Sequence, residues 1–125
     1  MLSVMNVCVN RVAVISLALF VGACVSTTPP SPEYLNWKGN EAYYKHNYDD
    51  AIKWYSASLE ESNKLGDRQF SAVSMYGLGR THGRLCDFGE AEAWLVKSIE
   101  ARASLPNIRG AHRAQNIFEL GRLYM

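Results

Sequence analysis

Gly39-Asn40-Glu41-Ala42-Tyr43-Tyr44-Lys45-His46-Asn47-Tyr48-Asp49-Asp50-Ala51 is answered further along the chain by Gly79-Arg80-Thr81-His82-Gly83-Arg84-Leu85-Cys86-Asp87-Phe88-Gly89-Glu90-Ala91. The glycine, the aromatic and the final alanine keep register. Beyond the alanine, Trp54-Tyr55 with Ser58-Leu59 is matched by Trp94-Leu95 with Ser98-Ile99. A third start, Leu120-Gly121-Arg122-Leu123-Tyr124, follows Leu78-Gly79 at nearly the same interval. Glycine inside a helix costs about 1 kcal/mol relative to alanine, so its return at a fixed spacing implies two backbones meeting there. A period of about 40 residues is the mark of stacked helical units that bury their faces against one another.

The pattern resembles the tetratricopeptide repeat, in which a small residue on one helix, an aromatic at the turn, and an alanine followed four residues later by a large side chain define a helical hairpin. The resemblance implies an all-α fold: antiparallel helical hairpins stacked as a short α-solenoid. It makes Gly39 and Gly79 close-approach positions, Tyr48 and Phe88 turn aromatics, Ala51 and Ala91 small contacts, and Tyr55 and Leu95 plugs. Asn47 or Asp49, and Asp87 with Glu90, are expected to cap the second helices. The period is longer than the family's usual length of roughly 34 residues and matches its extended variants. Gly66-Asp67 and Pro106-Asn107 are the expected turns between hairpins. Lys38, Asn63, His82 and Cys86 depart from the family's preferred residues. The repeats are expected at about residues 33–66 and 69–106, with a partial one at 109–125. In that last segment Ile117, Leu120 and Tyr124 are expected to face the second hairpin, and Arg113, Asn116 and Glu119 to look outward. It supplies a first helix without a second, either as a cap or as a piece of a longer array.

Ahead of the repeats, the apolar run Val12–Val21 follows a lone base, Arg11, and is too short for a bilayer span of roughly 20 residues. It leads into Val21-Gly22-Ala23-Cys24, which resembles the bacterial lipobox. Residues 1–23 are then a signal peptide, Cys24 is the lipidated first residue of the mature protein, and residues 24–32, rich in Ser, Thr and Pro, form an extended tether. Val25 after the cysteine implies, by resemblance to Gram-negative lipoproteins, the periplasmic side of the outer membrane. Cys8 leaves with the leader, so Cys86 stands without a disulfide partner.

Removal of Arg11 leaves twelve basic and twelve acidic residues, a balance that excludes a clustered surplus for nucleic acid. Residues 66–125 carry 8 bases against 6 acids and are the better place for an anionic ligand. In stacked hairpins the residue after each glycine, Asn40, Arg80 and Arg122, lines one face, with Tyr43, Tyr44, Gly83 and Arg84 a turn later. Chaperone-binding members of the family clamp a terminal carboxylate with such residues. Here Asn36, Tyr76 and Phe118 stand where a full clamp would supply lysine. The expected partner-binding set is Asn36, Asn40, Tyr43, Tyr44, Tyr76, Arg80, Arg84 and Arg122, directed at protein or peptide partners with acidic or C-terminal carboxylate groups. No hydrolase, nucleotide or zinc signature occurs, and neither enzyme activity nor a cofactor is expected. The resulting expectation is a membrane-tethered adaptor of the bacterial cell envelope. Its alternatives are a structural subunit of a larger envelope complex, and a small metal- or redox-responsive lipoprotein using His82 and Cys86.

Overall fold

The computed structural model of the chain describes residues 28–106 and 110–125, with side-chain surroundings in the last helix from residue 114 onward. The signal peptide, Cys24 and the turn at Asn107 lie outside the described residues, as does the side chain of Arg113. Among the described residues five helices follow in order: α1 (Pro32–Tyr44), α2 (Tyr48–Leu65), α3 (Arg68–Arg84), α4 (Phe88–Ala103) and α5 (Gly110–Leu123). They stack as two antiparallel hairpins, α1–α2 and α3–α4, with α5 packed on the second. The fold is all-α, a short solenoid of helical hairpins. Among the described residues, no helix is long and apolar enough to cross a membrane.

Helix α1 starts one residue inside the expected tether. Ser31 is its N-cap and accepts from the Tyr34 amide at 3.2 Å, while Pro32 takes the first helical position, where its missing N–H costs nothing. Both hairpins turn in the same way. His46 and Cys86, at equivalent positions of the two repeats, each adopt a left-handed φ of 61°, and the following amide reaches back five residues, from Asn47 to Ala42 at 2.9 Å and from Asp87 to His82 at 3.0 Å. Gly66 ends α2 identically at φ 69°, with the Asp67 amide bonded to the Ser62 carbonyl at 2.8 Å. Asp67 then caps α3 by accepting from the Phe70 amide at 3.0 Å. Asn47 and Asp87 stand at the N-cap positions of α2 and α4, but neither side chain makes the capping bond. Asn47 donates to Asp50 at 2.7 Å instead, and Asp87 turns to His82.

The core is built on the glycines. A β-carbon added at Gly39 or at Gly77 would lie 2.6 Å from the Tyr55 ring, and one at Gly79 would lie 2.7 Å from Leu95. Tyr55, Leu95, Ala51 and Ala91 are fully buried, as the repeat pattern implies. Tyr55 is thus held between α1 and α3 and locks the first hairpin to the second. Where Leu78 is buried, its counterpart Lys38 is partly exposed, its Nζ 5.6 Å from the Trp37 ring and 5.7 Å from the Trp54 ring.

Buried serines repeat as well. Ser58 Oγ donates to the Pro32 carbonyl at 2.8 Å, and Ser98 Oγ to the Ala72 carbonyl at 2.7 Å, the same bond one repeat later. Each serine is also the link to the next unit: Ser74 donates to Ser58 at 2.8 Å, and Asn116 of α5 donates to Ser98 at 2.8 Å. This last bond corrects the expected phase of α5. Asn116 is fully buried, while Ile117, expected inside, is 57% exposed; Tyr124 is exposed too, but its hydroxyl does reach the second hairpin, donating to Glu92 of α4. The helix turns the Asn116 amide towards Ser98 and the Arg102 guanidinium, which donates to Asn116 Oδ1 at 3.3 Å, because these buried groups need polar partners.

Candidate functional site

The glycines that let α3 approach its neighbours also set where its bases go. Arg80 follows Gly79 and lies between the hairpins, half-buried among four tyrosines. Its guanidinium carbon is 4.1 Å from the Tyr43 ring centroid and 5.4, 5.7 and 5.8 Å from those of Tyr76, Tyr44 and Tyr55. Its Nη2 donates to Asn40 Oδ1 at 2.5 Å and to the Tyr55 hydroxyl at 2.6 Å. The Tyr55 hydroxyl donates to the same Asn40 oxygen at 2.7 Å, and Asn40 Nδ2 donates to Asn36 Oδ1 at 3.4 Å. Among the described residues, Arg80 Nε has no hydrogen-bond partner; the ring faces around it supply the attraction. Burial pushes the Tyr55 and Tyr76 phenols above the ordinary tyrosine range, against the pull of the Arg80 charge.

The structure therefore gathers Asn40, Tyr43, Tyr44, Tyr76 and Arg80 into one cage, with Asn36 buried beneath it. Nη2 of Arg80 is directed into the cage, at Asn40 and Tyr55. Tyr43 joins Arg80 and Arg84 of α3, for Arg84 Nε donates to its hydroxyl at 3.0 Å. Arg84 and Arg122 are exposed. Phe118 is exposed on α5.

Next to the cage a small groove of about 60 Å³ opens between α3, α4 and α5. Arg80, Arg84 and Arg122 border it with a single acid, Glu119, and its floor is apolar, from Phe88, Leu95 and Leu123. Arg122 Nη1 is 3.4 Å from Glu119 Oε2, a loose contact that leaves the rim positive. Gly83 keeps the groove open, since a β-carbon there would come within 3.3 Å of Leu123. An apolar floor under a basic rim suits a side chain or chain end that carries a carboxylate. Phe88, Glu119 and Leu123 were absent from the set read off the sequence. Their signal there was faint: Leu123 follows Arg122, and Phe88 had a role only at the turn.

His82 Nδ1 is 3.2 Å from Asp87 Oδ2, and Cys86 is exposed at the turn. Among the described residues, no group of three or more His, Cys, Asp or Glu side chains is placed to hold a metal ion.

Compared with known proteins, residues 34–104 match the family model described as Tetratricopeptide repeat. No curated protein and no solved structure matches the chain.

Proposed function

The chain belongs to the tetratricopeptide repeat family, and from that membership we propose that it is a non-catalytic adaptor that binds acidic segments or chain ends of other proteins while tethered to a bacterial membrane. The family is one of protein-interaction repeats, and protein partners follow from it. The observation that carries the finer reading is the groove edged by Arg84 and Arg122 over an apolar floor. Arginine forks take carboxylates in paired hydrogen bonds, and the floor adds contact for the residue beside the carboxylate. Arg80 serves this site from behind, by fixing α1 against α3.

Tethering rests on the run Val12–Val21 leading into Val21-Gly22-Ala23-Cys24. Lipid on Cys24 would hold the repeats at a membrane, the outer membrane in a Gram-negative cell, and the Ser/Thr/Pro stretch would set them off its surface.

One experiment tests both parts. Partners are captured from cross-linked envelopes with the chain as it stands, with Arg84→Ala/Arg122→Ala, and with Cys24→Ala. The groove variant should lose its partners while keeping its helicity and its place in the membrane fraction. Cys24→Ala should leave the membrane fraction. Unchanged capture by the groove variant rejects the groove, and unchanged fractionation of Cys24→Ala rejects the anchor.

A further inference from the structure

We infer that Tyr34 and Trp37, with Lys38 beside them, form a patch on α1 that seats the first hairpin on the headgroup layer of the membrane carrying the chain, a reading that rests on the proposed anchor at Cys24. Both rings lie open, 49% and 57% exposed, with centroids 6.1 Å apart. Lys38 Nζ lies 5.6 Å from the Trp37 ring and 5.7 Å from that of Trp54. The carboxylate next to the patch, Glu41, is offset by Lys38 at 3.1 Å and Lys45 at 2.7 Å. Tryptophan and tyrosine gather where a membrane meets water because each has an apolar body and a polar tip. Lysine lays its stem on apolar surface while its ammonium stays wet.

This edge of the stack is not shaped for another hairpin. One repeat on, the positions of Tyr34 and Trp37 are held by Ser74 and Gly77, small residues that meet the preceding hairpin. Ser74 donates to Ser58 at 2.8 Å, and a β-carbon added at Gly77 would lie 2.6 Å from the Tyr55 ring. An indole in the place of that glycine leaves no room for a plug seated in the same way. A soft, flat surface accepts both rings, and the anchor supplies one. Residues 25–31 separate Cys24 from α1 and span about 25 Å at most, even fully extended. The last of them, Ser31, caps α1 through the amide of Tyr34 itself, so the patch begins where the tether ends. Two rings hold a bilayer weakly by themselves, but a short tether raises their effective concentration at the surface to the millimolar range, where weak contact suffices. The groove of Arg84 and Arg122 uses no residue of α1, so a seated α1 leaves it free.

The tryptophans report the contact. The full chain, with the mass of Cys24 checked for lipid, is reconstituted in phosphatidylethanolamine–phosphatidylglycerol vesicles. Tryptophan emission is compared between plain lipid and lipid brominated near the headgroup end of its acyl chains. Bromine should quench the emission. Trp37→Phe should lose most of that quenching, and Tyr34→Ser, which keeps the reporter and weakens the seat, should reduce it at least twofold. Both variants should keep the circular dichroism spectrum, since both side chains are open. Absence of quenching in a lipidated chain, or equal quenching in Trp37→Phe, overturns the patch and leaves the anchor standing. Quenching that persists in Cys24→Ala rejects the anchor and upholds the patch as a lipid surface; an unlipidated chain without quenching overturns both. A chain that sediments as a dimer in detergent and becomes monomeric with Trp37→Ser assigns the patch to a second copy and overturns the lipid seat.

Discussion

A single methyl group distinguishes the three glycines of the repeat. At Gly39 it would press on the Tyr55 ring at 2.6 Å and at Gly79 on Leu95 at 2.7 Å, and behind each plug stands a packed helix. At Gly121 it would meet open space. Overfilling a core costs about 1–3 kcal/mol, whereas alanine for glycine in an open helix gains about 0.5–1 kcal/mol. Gly39→Ala and Gly79→Ala should therefore lower the urea midpoint, and Gly121→Ala should leave it unchanged or raise it. A Gly121→Ala variant destabilised like the other two would mean that α5 is packed on both sides. Arg80 is decided at the same scale. A lysine there would keep the charge but could not bond Asn40 and Tyr55 together while lying flat against Tyr43.

Helix α5 is joined to the rest through Asn116, the buried residue among its described side chains. Replacing it with alanine leaves Ser98 without the Asn116 donor and Arg102 without the Asn116 oxygen, at a cost of about 1–3 kcal/mol. That loss falls on the contact between α5 and α4, because α1 to α4 keep both plugs. In Asn116→Ala, amide exchange should speed up through α5 and stay as before in α2 and α4; uniform acceleration would show that α5 is integral to the core. The same residue marks where sequence reading works and where it stops. Helix pairing was legible because it rests on steric partners that recur from one repeat to the next, Gly39 with Tyr55 and Gly79 with Leu95. The phase of α5 was not, because an asparagine on a helix reads as solvent-facing unless its partners are known, and these lie on α4. The groove suffered likewise. Arg80 and Arg122 occupy equivalent positions, yet one is enclosed by tyrosines from both hairpins and the other is exposed, a difference that only the stacking creates.

The two hairpins meet at Tyr55, since this one side chain is gripped by glycines of α1 and α3 and bonded to Asn40 and Arg80. Its phenol is pushed up by burial, with the Arg80 charge opposing. In the unfolded chain a tyrosine ionises near pH 10. The neutral phenol is thus favoured by the fold: its contribution is complete below about pH 10 and is lost as pH rises from there through the raised folded value. Tyr76, shifted in the same direction by the same cause, adds to the loss. The urea midpoint should accordingly stay level from pH 7 to about 9 and fall steeply above 10. Tyr55→Phe separates this linkage from general alkaline damage. The variant lacks the hydroxyl that meets Arg80 and Asn40, so it should be less stable at neutral pH by about 1–2 kcal/mol. It also has nothing to ionise at the junction, so its alkaline decline should be shallower and the two curves should converge as pH rises. Parallel curves would place the alkaline sensitivity elsewhere, and would mean that the hairpins are joined by the fit of the Tyr55 ring and not by its hydroxyl.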